Sequence, residues 1–187
     1  VGPQVGQELA EKGALAVLFT FLLILAYVAF RFQWKLGVGA ILAAMHDPFV
    51  ILGVFAITGL TFDLPALAAI LAVIGYSLND TVVVFDRLRE RFLSMRKGSS
   101  EQVIDTAINE TLSRTLMTSF ITLLTVLSLL FFGGEILRGF SVALTIGIVV
   151  GTYSSIYVAS ALALDFKLTA LDLMPAQREK DAIDDMP

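Results

Sequence analysis

The chain has no cysteine, a single histidine, and charge on only 16% of its 187 residues. The missing cysteines exclude a disulfide framework, thiolate metal sites and a thiol nucleophile, though they do not identify a compartment. His46 beside Asp47 is too small a donor set for a metal site, which needs further ligands that the chain does not place nearby. A soluble domain carries roughly 25% charged residues, so this scarcity excludes a water-facing surface of ordinary polarity. Apolar residues fill the gap, at 57% of the chain with a mean hydropathy of +0.83. Composition alone describes a membrane protein.

The chain also lacks an initiator methionine and the basic start of a signal peptide, opening instead on VGPQVGQELAEKG. We therefore expect at least one earlier span upstream. A transmembrane helix needs about 20 apolar residues to cross a roughly 30 Å hydrocarbon core. Five such runs are present, at about 13–30, 36–57, 66–85, 116–132 and 140–164. The expected fold is therefore an all-α bundle of five transmembrane helices, with its two ends on opposite sides of the membrane. Lysine and arginine favour the cytoplasmic side. With the N-terminus outside, Arg31, Lys35, Arg87, Arg89, Arg91, Arg96, Lys97, Arg114, Lys167, Arg178 and Lys180 all fall inside. Only Lys12 and Arg138 remain outside, so the N-terminus is expected to be external and the C-terminus cytoplasmic.

The segments between the spans carry further signals. Tyr27, Phe30, Phe32 and Trp34 cluster with Arg31 and Lys35 as an interfacial belt. The turns 58–65 and 133–139 are short, so the second and third spans, and the fourth and fifth, form tight antiparallel pairs. The inner linker, about 87–114, contains SSEQVIDTAINETL. There Ser99 and Gln102 have the spacing of a capping box, and Val103, Ile104, Ala107, Ile108 and Leu112 form an apolar stripe of helical period. An amphipathic helix at the cytoplasmic membrane surface is expected. The tail 171–187 is polar, acidic and expected to be disordered.

A charge near the bilayer centre costs about 2.5–3.5 kcal/mol, yet His46, Asp47 and Asp80 lie inside spans. Pro48 follows Asp47, removing a backbone donor and exposing the Ala44 carbonyl. His46 and Asp47 are thus candidates for a hydrogen-bonded pair at a kink or for a polar relay. Asp80 lies a few ångströms from the midplane at 1.5 Å per residue. Desolvation favours its neutral form and a nearby cation its ionised form. The available cation is Arg114, and the pair reads either as a proton-binding switch or as a static structural pair. On the fourth span Thr111, Thr115, Thr118, Thr122 and Thr125 recur at 4, 3, 4 and 3 residues. They either pack helices or line a polar seam leading to Asp80. Gly147, Gly151 and Ser155 form a small-residue packing ridge.

The string GYSLNDTVVVFDRLRER (75–91) resembles the signature helix of the SecF family, the smaller subunit of the SecDF protein-export machinery. VGPQVGQEL, the HDP of the second span and NETLSRTLMTS are similar to SecF segments as well, whereas SecD carries a different string at this place. The resemblance implies a resistance-nodulation-division fold, with this chain supplying helices two to six of a six-helix half-bundle. It also implies a bacterial inner-membrane protein that works with SecD, the SecYEG translocon, YajC and YidC. Unfolded exported polypeptide would be handled through an outer domain, driven by proton flow, with sodium as the other candidate ion. Asp80 and Arg114 match the family's proton-pathway residues, and Asn79 precedes the aspartate in the same string; Thr118 and Thr122 join them as candidates for the relay. No cofactor, metal or nucleic acid is implied, and the protein is not expected to be an enzyme. The rival readings are a proton-coupled carrier of small hydrophobic solutes, an inert scaffold subunit, and an intramembrane aspartyl protease using Asp47 and Asp80.

Overall fold

The structure, a computed structural model, describes residues 3–95, 99–166, 168 and 173. Its elements are α1 (Pro3–Arg31), α2 (Trp34–Thr58), α3 (Leu64–Ser94), α4 (Ser100–Phe132) and α5 (Gly134–Tyr153). A π-helical turn (Ser154–Val158) and α6 (Ala159–Asp165) continue α5 as one rod. Among the described residues, five helices are long and apolar enough to cross a membrane. The fold is all-α, as expected.

Short-range chemistry sets the helix ends. Gly59, at φ 68°, ends α2 in the left-handed region that glycine enters without a Cβ penalty. Asp63 then opens α3 by accepting from the Ala66 amide at 2.9 Å, with Pro65 in the first turn. Ser99 and Gln102 form the capping box in both directions: Gln102 N donates to Ser99 Oγ at 3.3 Å and Ser99 N to Gln102 Oε1 at 3.2 Å. From that cap α4 runs unbroken to Phe132, so the amphipathic stretch and the fourth span are a single helix. The first part of the linker, residues 87–94, belongs to α3. The tail lies outside the described residues except for Leu173, which is buried and whose carbonyl accepts from Gln33 Nε2 at 3.3 Å.

In lipid an apolar side chain gains little by leaving hydrocarbon, so helices associate through close packing instead. The span of α3 is 44% buried and that of the α5–α6 rod 50%, against 12% for α1 and 17% for α4. The bundle is therefore organised around α3 and the α5–α6 rod, with α2 and α4 flanking them and α1 against α2. Gly147 explains how the two central rods approach: a methyl there would collide with Val73 of α3. At the arginine-rich end, Phe85, Leu88 and Phe92 of α3 and Val103, Ile104 and Ala107 of α4 join the buried core. That cluster gives the apolar stripe of the amphipathic stretch a protein partner.

Candidate functional site

The signature string sits in the middle and second half of α3, where its polar residues divide between two faces. Ser77, Asp80 and Thr81 are buried, whereas Gly75 and Asn79 are exposed. Asp80 is 4% exposed, and its Oδ2 has no hydrogen-bond partner among the described residues. Leaving a buried oxygen unpaired costs about 1–3 kcal/mol, and more for an ion.

A cleft of about 250 Å³ opens between α3 and α4, lined by Val83, Asp86, Arg87, Glu90, Glu110, Thr111 and Arg114. Val83 lies three residues from Asp80, so the polar cleft ends within about one helical turn of the buried acid. Most of its charges are committed. Arg91 grips Glu110 with two nitrogens at 2.6 and 2.7 Å. Arg87 meets Glu90 at 2.7 Å and Glu110 at 3.5 Å, and Arg31 of α1 reaches both Asp86 oxygens at 2.6 and 2.8 Å. Arg114, exposed and at the cleft wall, has no ion pair among the described residues. It is the charge whose field reaches Asp80, without direct contact.

One turn before Asp80, Tyr76 ties α3 to α4 by donating to Ser119 Oγ at 2.9 Å. Ser119 lies 2.6 Å from Thr152 Oγ1 on α5, which is also 2.6 Å from the Ile148 carbonyl. A hydroxyl has one proton and a carbonyl only accepts. The three hydroxyls therefore close as a one-way chain, Tyr76 to Ser119 to Thr152 to the Ile148 carbonyl.

The threonine stripe is split by the structure. Thr111 and Thr115 are buried, and the inward face continues through Ser119 to Val126. Thr118 and Thr125 are exposed and Thr122 half-buried, with hydroxyls donating to Thr115, Ile121 and Thr118 carbonyls of their own helix. His46 and Asp47 are paired, Nδ1 to Oδ1 at 3.1 Å, with Asp47 fully buried. Asp47 and Asp80 share no hydrogen bond among the described residues.

Residues 1–169 match the family described as protein export membrane protein SecD/SecF, C-terminal. The chain belongs to the SecD/SecF C-terminal family. It is 53% identical to protein translocase subunit SecF of Vibrio alginolyticus, covering 100% of this chain and 60% of that one. For the Pseudomonas aeruginosa subunit the identity is 51%, covering 100% and 61%. The chain thus spans about six-tenths of the length of these curated SecF relatives. A crystal structure of SecDF from Thermus thermophilus, described as translocon-associated, superposes with a TM-score of 0.83 at 50% identity, over 89% of this chain and 23% of that one. The SecF resemblance of the signature string is thereby shown, and the chain is a multi-pass membrane protein.

Against that family frame, the residues that sequence reasoning missed are Ser77, Ser119, Thr152 and Ser154, all buried. Ser119 was within reach, since it follows Thr115 by four residues and so shares its helix face.

Proposed function

We propose that this chain is the membrane portion of a SecF-type subunit that uses the proton gradient to assist protein translocation across the bacterial inner membrane. The observation carrying this is Asp80, buried with an unpaired oxygen about one helical turn from a polar cleft whose one unpaired described cation is Arg114. Proton uptake from the cleft neutralises the carboxyl. Release leaves an anion, stabilised only if Arg114 approaches. Moving one elementary charge across 100 mV is worth about 2.3 kcal/mol, and pairing and unpairing of Asp80 with Arg114 converts that into a bias between helix arrangements. The arginine-rich end of the bundle lies in the cytoplasm in this reading, with residue 3 on the periplasmic side.

SecD is the proposed partner inside the membrane. Asn79 presents its amide outward within an apolar helix, a group that lipid does not solvate. The relative named SecDF, in which a 23% stretch of one long chain matches this one, supports the same partner. SecYEG, YajC and YidC are proposed as the wider assembly and unfolded exported polypeptide as the cargo, with the proton as coupling ion and sodium as its competitor.

The test uses the full-length subunit co-assembled with SecD in membrane vesicles. Asp80→Asn and Arg114→Met should each abolish export that depends on the proton gradient while the complex still assembles. Full gradient-dependent export in the Asp80→Asn complex overturns the reading.

One observation favours a second reading, a carrier of apolar solutes. An apolar groove of about 820 Å³ runs between α1 and α2, lined by residues such as Leu18, Phe21, Met45, Phe49 and Leu52. That reading requires proton flux stimulated by an apolar solute and lost when Phe49 is replaced by a polar residue. Flux indifferent to solutes removes it.

A further inference from the structure

A second buried acid, on the opposite side of α3 from the cleft, is left over by the Asp80 mechanism. Asp47 of α2 is fully buried. Its Oδ1 meets His46 Nδ1 at 3.1 Å, and its Oδ2 has no partner among the described residues. Ser77 Oγ on α3 is likewise buried and unpartnered. Both orphan oxygens converge on Gly151 of α5: a methyl there would lie 3.4 Å from Asp47 Oδ2 and 3.5 Å from Ser77 Oγ. The same methyl would press on Ser77 Cβ at 3.2 Å, so the space beside Gly151 is small. The backbone is irregular on two sides of the spot. Pro48 leaves the Ala44 carbonyl without its helical donor, and the rod turns π-helical at Ser154, three residues past Gly151. Such single-turn π segments are frequent at functional sites.

The charges facing Asp47 are few. On its own helix there is His46, whose side chain is 38% exposed. On α3 the nearest ionisable groups are Tyr76, which is bonded to Ser119, and Asp80, one turn beyond Ser77. On the α5–α6 rod Glu135, Arg138 and Asp165 sit toward its ends, and Tyr153 and Tyr157 are exposed. On α1 the ionisable groups Glu8, Glu11, Lys12, Tyr27 and Arg31 lie toward its two ends, and Lys35 lies at the start of α2. Among the described residues, the ion-pair contact of Asp47 is with His46.

We infer that His46, Asp47 and Ser77 form a second proton-binding site, in which half-exposed His46 takes up the proton and buried Asp47 receives it. In the transfer the N–H bond at His46 Nδ1 breaks and an O–H bond forms on Asp47, converting an imidazolium–carboxylate pair into neutral imidazole and neutral acid. An imidazole can both take and pass a proton. The O–H forms on Oδ1, the oxygen facing His46; a half-turn of the carboxyl then carries it to the Gly151 side, where it donates toward Ser77 Oγ, one turn of α3 from Asp80. The site stands whether or not Asp80 itself exchanges protons.

Infrared difference spectroscopy on the full-length subunit assembled with SecD tests this, using a step in pH as the trigger. A protonated-carboxyl band should appear that Asp47→Asn removes, Ser77→Ala shifts and Asp80→Asn leaves in place. His46 should be neutral in both end states, because the proton it takes up is passed on to Asp47. A difference spectrum unchanged by Asp47→Asn overturns the proposal. So does a carboxyl band that responds to sodium at constant pH but not to pH. If the Asp47 variant fails to assemble, Ser77→Ala carries the test, because a carboxyl band of unshifted frequency in that variant also overturns it.

Discussion

The Tyr76 hydroxyl on α3 donates to Ser119 Oγ on α4 at 2.9 Å, one helical turn from Asp80. This bond and its continuation to Thr152 hold the three helices around the buried acid in fixed rotation. Removing the donor leaves Ser119 and Thr152 able to satisfy each other, so Tyr76→Phe should cost about 0.5–1.5 kcal/mol, the net worth of one hydrogen bond. Ser119→Ala removes the middle of the chain and should cost more. Thermal unfolding in detergent, run as a double-mutant cycle with Thr152→Val, checks the ordering.

Gly147 sets the approach of α5 to α3. A methyl at this position collides with Val73, and overpacking a tight interface costs about 1–3 kcal/mol. Gly147→Ala should therefore destabilise the bundle, and Val73→Ala introduced beside it should recover most of the loss. Absence of recovery would mean that the close approach is not what Gly147 provides.

The capping box at Ser99 holds the first turns of α4. Ser99→Ala should cost about 1 kcal/mol and fray the helix locally. Faster hydrogen exchange confined to the amides of residues 102–104, with slow exchange kept around Ser119, is the expected pattern.

Arg114 makes no forked contact with a carboxylate among the described residues, so the proposed cycle uses its charge rather than its guanidinium geometry. Arg114→Lys should retain a substantial part of gradient-driven export, whereas Arg114→Met should lose it. Equal loss in both would point to a bidentate contact formed in another arrangement of the helices.

The surface ion pairs should matter little to stability. Arg31 and Asp86 are 38% and 40% exposed, and exposed pairs contribute about 0–1 kcal/mol. Asp86→Asn should change the unfolding temperature marginally, with the difference vanishing in high salt.

Several features of the site were legible in the residue order. The depth of Asp80 followed from counting along an apolar run, and Arg114 was the cation at the right end of the next helix. The capping box was visible because its partners lie three residues apart. The threonines form one stripe of 4, 3, 4 and 3 spacing, but it runs along the edge of the buried face, which continues through Ser119 and Val126. Its inward members are Thr111, Thr115 and then Ser119, whereas Thr118 and Thr125 face outward. A step of one residue turns a helix by about 100°, so serine at 119 and threonine at 118 point in different directions. Asn79, beside Asp80 in the string, is exposed for the same reason.

Hydropathy, capping and turn chemistry act within a few residues, which is why five long apolar helices, their connections and the acids inside apolar runs can be read from residue order. How far each helix is rotated about its own axis depends on packing between helices distant in the chain. That Asp80 and Ser77 turn inward while Asn79 turns outward, and that Ser119 and Thr152 meet Tyr76, emerges in the folded bundle. The same packing brings Asp47, Ser77 and Gly151 from three helices to one point, where the space is small and the orphan oxygens converge.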